Sequence, residues 1–251
     1  MNDKKAIIIL AAGKGKRMNS NIPKELHQLN NITLIERVIY TARNLNCSKI
    51  IVVIGHKKEM IKTHLASYKD IEYAVQNEQK GTAHAVKMCF KNLCDFKGNV
   101  IILSGDVPLI STDTLKKLIE TKNKTNAESA ILTADTEFPS GYGRIIRDQN
   151  GLLKKITEDK DCSDEELKIN EINAGIYIVD NHYLINYIPK IKNENFQGEY
   201  YLPDLLNLMV QDGKLVAIYK TNNINEISGI NSIEQLNQLE QNLTINEKEE
   251  F

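Results

Sequence analysis

A segment near the start of the chain, LAAGKGKRM at residues 10–18, places two glycines among several positively charged side chains. Gly13 and Gly15 would let backbone N–H groups approach an anion, because no Cβ stands in the way. The cations lie within eleven residues of sequence: Lys14, Lys16, Arg17 and Lys24. The spacing matches neither the P-loop nor the glycine motif of dinucleotide-binding folds. The segment predicts a polyphosphate site, and the alternative is a plain strand-to-helix turn with solvated lysines.

A carboxylate follows another apolar run, in SGDVPLI at residues 104–110. Asp106 comes at the end of a predicted strand, at the edge where parallel sheets bind ligands. Mg²⁺ prefers oxygen ligands and usually takes one or two carboxylates together with phosphate oxygens. We therefore predict that Asp106 binds Mg²⁺ opposite the phosphates. The alternative is an aspartate that caps a helix or a turn.

Two further segments carry groups that suit the rest of a substrate. In VQNEQKGTAHAV, residues 75–86, Gln76 offers an amide to a base edge, and Gly81 with Thr82 opens a helix that a ligand could approach closely. His84 in the same segment is expected to be a packing residue. The segment GYGRI at residues 141–145, with Glu158 and Asn173, combines glycines, a carboxylate and an amide that suit a neutral sugar. Each of these signals is weak alone.

No motif for a catalytic nucleophile is present. The chain contains neither G-x-S-x-G nor H-E-x-x-H, and no cysteine–histidine pair has nucleophile spacing. Covalent catalysis is therefore not predicted.

Strands and helices alternate along the first half of the chain, which predicts a mostly parallel sheet covered by helices on both faces. Strands are predicted at residues 5–11, 49–55, 72–76, 99–105, 128–136, 173–180 and 213–221, with a hairpin over 142–158 that turns at Asn150–Gly151. Helices are predicted at residues 33–45, 58–68, 82–93, 112–122, 182–191 and 232–250. The fold class is α/β, Rossmann-like, with an inserted β-rich lobe.

The composition is ordinary for a globular protein. The 251 residues are 41% apolar and 26% charged, and the net charge of −1 predicts neither nucleic-acid nor membrane binding. The longest apolar run, residues 6–12, is too short to span a bilayer. The four cysteines lack metal-site spacing, so we expect free thiols and a cytoplasmic location. The final helix is polar, with a thin apolar stripe formed by Ile233, Leu236, Leu239 and Leu243. We expect this helix to dock on the surface or to reach a partner or second copy.

The motifs together resemble those of a known family. LAAGKGKRM followed by PKELHQL resembles the signature of sugar-phosphate nucleotidyltransferases. The segments QNEQKGTAHAV, SGDVPLI, PSGYGRIIR, EINAGIYIV, NFQGEYYLPDL and GIN are similar, in order, to the N-acetylglucosamine-1-phosphate uridyltransferase half of the bifunctional GlmU family. The resemblance runs from Leu10 to Asn231. It implies a nucleotidyltransferase domain over residues 1–231, with a nucleotide-binding part over about 1–110, a sugar-binding part over about 111–231, and a helical tail over 232–251.

The resemblance also implies a role for each matching residue. Phosphate contacts would come from Arg17 and Lys24, and Mg²⁺ would be held by Asp106 and Asn231. The amino sugar would be bound by Gly143, Glu158 and Asn173. The nucleotide would be bound by Leu10, Ala11, Ala12, Gly13, Gln76, Gly81 and Thr82.

Two departures from the family pattern limit what is carried over. The sequence has no hexapeptide repeats, so neither a left-handed β-helix domain nor acetyltransferase activity is expected. Ser104 stands where some relatives have tyrosine, which leaves the sugar contacts at that position open.

The resemblance implies the reaction of UTP with N-acetylglucosamine-1-phosphate to give UDP-N-acetylglucosamine and pyrophosphate, a step towards cell-envelope precursors. One alternative keeps the enzyme class and changes the substrates, for example glucose-1-phosphate with UTP or dTTP. Another is a non-catalytic regulator that binds nucleotide sugars, although the site residues that a regulator could lose are all present. A third is an interaction module that uses the terminal helix.

Overall fold

The computed structural model describes residues 4–249, except for the side chains of Lys16 and of residues 242–249. The strands are β1 Lys5–Ala11, β2 Gln28–Leu29, β3 Ile32–Thr33, β4 Lys49–Ile54, β5 Ile71–Val75, β6 Asn99–Ser104, β7 Ser129–Asp135, β8 Arg144–Arg147, β9 Leu153–Thr157, β10 Glu171–Asp180 and β11 Val216–Thr221. The helices are α1 Leu34–Arg43, α2 Lys58–His64, α3 Thr82–Lys87, α4 Phe90–Leu93, α5 Thr112–Lys124, α6 Asp164–Leu167, α7 Asn181–Tyr187, α8 Pro203–Gln211 and α9 Ile233–Glu249.

Nine of the described strands form one mixed, mostly parallel sheet. Its order is β11-β7-β10-β6-β1-β4-β5, and the β8–β9 hairpin branches from β10. β1 pairs in parallel with β4 and β6, and β10 runs antiparallel to β6 and β7. The strands of residues 1–110 thus form one side of the sheet, and those of residues 111–231 form the other side, joined at the β6–β10 pair.

Both faces of the sheet are covered, as a parallel sheet requires. Ile7 and Ile9 of β1 pack on one face with apolar residues of α1, α2 and α5. Ile8 packs on the opposite face with residues of α3, α7 and α8. The continuous apolar runs therefore form strands that are buried on both sides, and the ends of these strands are left for polar residues.

Local signals set where the covering helices begin. The Thr33 hydroxyl accepts from the backbone N–H of Glu36, and the Glu36 carboxylate accepts from the N–H of Thr33, which forms a capping box at the start of α1. Ser111 caps α5 by accepting from the N–H of Thr114. These caps direct α1 and α5 back along the sheet, so the preceding loops lie at its carboxyl edge.

The predicted elements are largely confirmed. The hairpin turns as expected, with Gly151 at φ +78° donating to the carbonyl of Asp148. Helix α8, the β2–β3 pair and the antiparallel direction of β10 were not predicted. The start of α9 docks on its own chain, where Leu236 packs with Leu29, Leu34 and Ile230. The side chain of Leu243, the last residue of the predicted stripe, lies outside the described side chains.

No helix between residues 4 and 249 is both long enough and apolar enough to cross a membrane.

Gly81 tests how tightly the loop before α3 is packed. Its φ is +109°, and a Cβ there would lie 2.5 Å from the carbonyl oxygen of Tyr200. We expect Gly81→Ala to lower the free energy of unfolding by at least about 3 kcal/mol, because backbone strain adds to a backbone clash. Chemical denaturation measures this loss.

The matched control is Gly213→Ala, since Gly213 also has a positive φ, of +70°, but open space where its Cβ would lie. It should cost only about 1–2 kcal/mol. Equal losses for both variants would show that the contact between Gly81 and Tyr200 does not constrain the loop.

Candidate active site

A cavity of about 460 Å³ opens at the carboxyl ends of β1, β5 and β6. Leu10 and Gly13 line it at the end of β1, Gln76 lines it after β5, and Asp106 lines it after β6. These are the loops that the topology rule for parallel sheets selects. The cavity also contains Lys14 and Gly15, so the glycine-rich segment borders it as predicted.

Four of the predicted site residues form one connected group, which we call the charge network: Arg17, Lys24, Asp106 and Asn231. The Lys24 ammonium forms an ion pair with Asp106 Oδ2 and lies 3.1 Å from Asn231 Oδ1. Arg17 Nη2 donates to the same Oδ1 at 2.9 Å. The side chains of Lys24 and Asp106 are only 14% and 19% exposed, so water screens this ion pair less than a surface pair.

Further hydrogen bonds hold Asn231 in place within the network. The N–H of Ile230 donates to the carbonyl of Asp106 at 2.9 Å, which fixes the segment before α9 against the end of β6. Asn231 Nδ2 donates to the carbonyl of Gly229, and Gln235 Oε1 accepts from the N–H of Asn231. The Asn231 amide is thereby oriented with Oδ1 towards the cations.

The network contains donors that fit a divalent cation. Asp106 supplies a carboxylate oxygen and Asn231 supplies an amide oxygen, and these are the hard ligands that Mg²⁺ takes alongside phosphate. The Lys24 ammonium contacts both the Asp106 and the Asn231 oxygen. These two oxygens are therefore close enough for one small cation to contact both.

The side of the larger cavity predicted to bind the base is built around Gln76, which is 3% exposed. Its Nε2 donates to the carbonyl of Gly81 and lies 3.0 Å from His84 Nδ1. The amide nitrogen therefore has partners within the protein. Thr82 Oγ1 accepts from the N–H of Leu202, which ties the start of α3 to the segment before α8. His84 serves here as an orienting neighbour of Gln76.

A second cavity of about 210 Å³ adjoins the first, and Leu10, Thr82 and Ser104 line both. The predicted sugar-binding residues lie in this second cavity: Gly143, Glu158 and Asn173. The N–H of Asn173 donates to the carbonyl of Gly143 at 2.8 Å. A Cβ on Gly143 would lie 3.3 Å from Glu158 Oε1, so the glycine leaves room for that carboxylate.

A bulge in β10 sets the position of the Asn173 amide. The pairing with β7 shifts between Asn173 and Tyr177, and Gly175 in between has a φ of +71°. Asn173 Oδ1 accepts from the N–H of Gly175, and Nδ2 lies 2.7 Å from the Tyr177 hydroxyl. The amide is held in one orientation facing the cavity.

Two carboxyl groups in these cavities have perturbed acidity. Burial raises the pKa of Glu158 to about 7, and the charges of Asp204, Asp161 and Asp159 add to the shift. Burial also raises the pKa of Glu25 to about 7, with a smaller contribution from the charge of Asp106. Glu25 lines the first cavity, and its Oε2 is buried without a hydrogen-bond partner among the described residues.

Of the fourteen predicted site residues, eleven line one of these two cavities. Arg17 and Asn231 adjoin the larger cavity through their network with Lys24, whereas Ala11 differs from its neighbours. Its side chain packs in the core, so a ligand could reach only its backbone. Sequence reasoning missed Glu25, although it lies in the quoted PKEL, because only the short turn Lys24–Leu26 shows that this charged residue points inward. The sequence also did not reveal the role of Tyr177 in orienting Asn173, because its place in an apolar strand indicated only a core residue.

Comparisons with known proteins agree with this geometry. A family model described as nucleotidyl transferase matches residues 6–237. The chain is 43% identical over 227 residues to the bifunctional protein GlmU of Bacillus subtilis (strain 168), covering 90% of this chain and 49% of that protein. Bifunctional protein GlmU of Geotalea uraniireducens (strain Rf4) is 43% identical over 224 residues, covering 89% and 49%. The chain therefore spans about half the length of these relatives.

The fold resembles that of a solved UDP-glucose pyrophosphorylase complexed with UDP-glucose. The TM-score is 0.77, with 97% of this chain and 99% of that chain covered, at 19% sequence identity. At this identity the likeness shows the fold alone. The predicted α/β fold class is confirmed.

The buried Glu25 predicts an unusual dependence of stability on pH. Its pKa is about 4.5 in the unfolded chain and about 7 when folded, so ionisation opposes folding. The penalty is absent below pH 4.5, grows as the pH rises, and is complete above pH 7. We expect Glu25→Gln to gain up to about 3 kcal/mol in unfolding free energy relative to the native chain between pH 4.5 and 8.

Denaturation curves of both proteins at several pH values measure this difference. Glu36→Gln provides a control of opposite sign. Although burial alone would raise its pKa, hydrogen bonds from Thr33, Tyr68 and His64 lower the pKa of Glu36 to about 2. That variant should lose stability relative to the native chain above pH 4.5. Parallel pH profiles for Glu25→Gln and the native chain would contradict the account of Glu25.

Proposed function

The chain belongs to the nucleotidyl transferase family, and we propose that it converts UTP and N-acetylglucosamine-1-phosphate into UDP-N-acetylglucosamine and pyrophosphate. The observation that carries the proposal is the charge network at the larger of two adjoining cavities of unequal size. The larger cavity suits a nucleotide, and the smaller suits a sugar. The resemblance to the uridyltransferase half of GlmU, together with the identity to GlmU proteins, supports this choice of substrates.

The reaction is a direct displacement. A phosphate oxygen of the sugar phosphate attacks the α-phosphorus of UTP in line, the new P–O bond forms, and pyrophosphate leaves. The attacking oxygen is already anionic, so no general base is required. The protein contributes by positioning the two substrates and neutralising their charge.

The charge network supplies that neutralisation. Two phosphate-bearing substrates repel each other, and Arg17 and Lys24 offset this repulsion as negative charge builds on the transferred group. Mg²⁺, held by Asp106 and Asn231, would supply further positive charge next to the phosphates when bound. Lys24 and Asp106 line the larger cavity, so this charge lies beside the proposed triphosphate site.

The other site residues position the two ends of the product. We propose that the nucleotide is bound by Leu10, Ala11, Ala12, Gly13, Gln76, Gly81 and Thr82. The smaller cavity would bind the sugar through Gly143, Glu158 and Asn173. Because the Gln76 amide nitrogen is already engaged, its carbonyl oxygen is the group available to accept a hydrogen bond from the base.

The division at residues 110 and 231 follows from the same proposal. The larger cavity takes its walls mainly from the first part of the chain, and the smaller takes most of its walls from the second. The substrates are phosphorylated metabolites of the cytoplasm, which is the location we propose. Self-association through α9 stays a prediction.

A pyrophosphate-release assay tests the proposed function. The protein is given a panel of sugar-1-phosphates, each with each nucleoside triphosphate, with and without Mg²⁺. We expect release to be fastest with N-acetylglucosamine-1-phosphate and UTP, and to require Mg²⁺. Faster release with glucose-1-phosphate and either UTP or dTTP would replace the proposed substrates, and no release with any pair would favour the binding regulator.

Removing one member of the charge network should reduce turnover sharply. We expect Arg17→Ala and Asp106→Ala each to lower kcat by roughly 10²–10³-fold, by analogy with the loss of a preorganised charge contact. Arg43 and Asp70 form an ion pair elsewhere on the surface, so Arg43→Ala and Asp70→Ala are matched controls. The controls should keep native rates. Near-native rates in the network variants would contradict the proposed role of the charge network.

The raised pKa of Glu158 predicts how sugar binding depends on pH. An ionised carboxylate accepts stronger hydrogen bonds from sugar hydroxyls, and Glu158 becomes ionised as the pH rises through about 7. We expect the KM for the sugar phosphate to fall up to about tenfold between pH 6 and 8. Glu158→Gln should keep only the titration of the substrate itself, so its KM profile should be flatter. Identical dependence of KM on pH in the two proteins would show that Glu158 does not bind the sugar.

A further inference from the structure

The Lys24 side chain occupies the two oxygens that the proposed function assigns to a metal. Its ammonium pairs with Asp106 Oδ2 and lies 3.1 Å from Asn231 Oδ1. Arg17 Nη2 also donates to Asn231 Oδ1 at 2.9 Å. Both protein cations of the charge network therefore contact the proposed metal ligands.

Lys24 and a divalent cation compete for these ligands. Magnesium binds oxygen at about 2.1 Å, closer than an ammonium hydrogen bond, and strongly prefers a complete octahedral shell. Two cations on the same oxygens would also repel each other. The repulsion is strong because the side chains of Lys24 and Asp106 are largely shielded from water. Metal binding is therefore opposed for as long as the Lys24 ammonium stays on Asp106.

The local backbone permits that movement of the side chain alone. Lys24 begins a short 3-10 turn between two buried residues, Pro23 and Glu25, which hold its backbone in place. Gly15, at φ +54°, packs against the base of the side chain, where an added Cβ would lie 3.1 Å from Lys24 Cβ. The long flexible side chain lines the larger cavity, so its ammonium can turn towards a bound triphosphate.

We propose that Lys24 is an internal competitor for the metal site: it holds Asp106 and Asn231 until a triphosphate attracts its ammonium, so that the metal and the nucleotide bind cooperatively. The proposal rests on the proposed function for the assignment of the two metal ligands. It adds that the free protein binds a divalent cation weakly, because one of its own side chains competes. The same charge then serves the phosphates once it is released.

The test is the binding of Mn²⁺ to the free protein without nucleotide, followed by electron paramagnetic resonance of the unbound aquo ion. We expect Lys24→Met to bind Mn²⁺ at least about tenfold more tightly than the native chain, since a like charge a few ångströms away is removed. Lys24→Gln is measured alongside it, and circular dichroism establishes that each variant is folded.

Three further variants separate competition at the site from a general effect of charge. Lys24→Arg keeps the positive charge and should keep the weak binding of the native chain. Lys14→Met removes the same charge from another residue that lines the cavity and should change the affinity less than threefold. In Lys24→Met with Asp106→Asn, the tight binding should disappear.

Affinities within threefold of each other for the native chain and Lys24→Met would overturn the proposal. Tight binding that survives the loss of Asp106, or an equal gain in Lys14→Met, would overturn it as well. The measurement contains no sugar and no nucleotide. Failure here therefore concerns the competition, whereas failure of the proposed reaction would appear in the pyrophosphate-release panel.

Discussion

The site depends on the convergence of two cations, a carboxylate and an amide at one point of the carboxyl edge of the sheet. Arg17 and Lys24 follow β1, Asp106 follows β6, and Asn231 precedes α9, yet all four meet in one network. The parallel pairing of β1 with β6 brings the first three together. The hydrogen bond from Ile230 to the carbonyl of Asp106 then adds the fourth. In the proposed reaction, this convergence offsets the repulsion between two phosphate-bearing substrates.

The rest of the fold forms two adjoining cavities of unequal size, and Lys24 and Asp106 of the network line the larger one. The β8–β9 hairpin and the bulge in β10 build the smaller cavity, where Tyr177 and Gly175 orient the amide of Asn173. The contact between Gly81 and the segment around Tyr200 shapes the larger one. Burial then makes Glu158 sensitive to pH near 7. The proposed site therefore depends on elements that lie outside the charge network.

The sequence predicted the parts whose cause is local. Continuous, β-branched apolar runs such as residues 5–11 favour buried strands. The topology rule for parallel sheets then places Asp106 at their ligand edge. The burial of Glu25 could not be predicted in this way, because it depends on a short turn packed against β6. The antiparallel direction of β10 likewise depends on pairing with distant strands. A buried apolar run such as IYIV does not indicate whether its strand is parallel or antiparallel to its neighbours.

The proposed reaction is a single direct transfer between two bound substrates, and isotope exchange tests this most directly. The protein is incubated with labelled pyrophosphate, UTP and Mg²⁺, and the label entering UTP is measured. Direct transfer predicts no exchange until UDP-N-acetylglucosamine or the sugar phosphate is added, because pyrophosphate can attack only a nucleotide sugar. Exchange without any sugar would reveal a nucleotidyl–enzyme intermediate and would contradict the account.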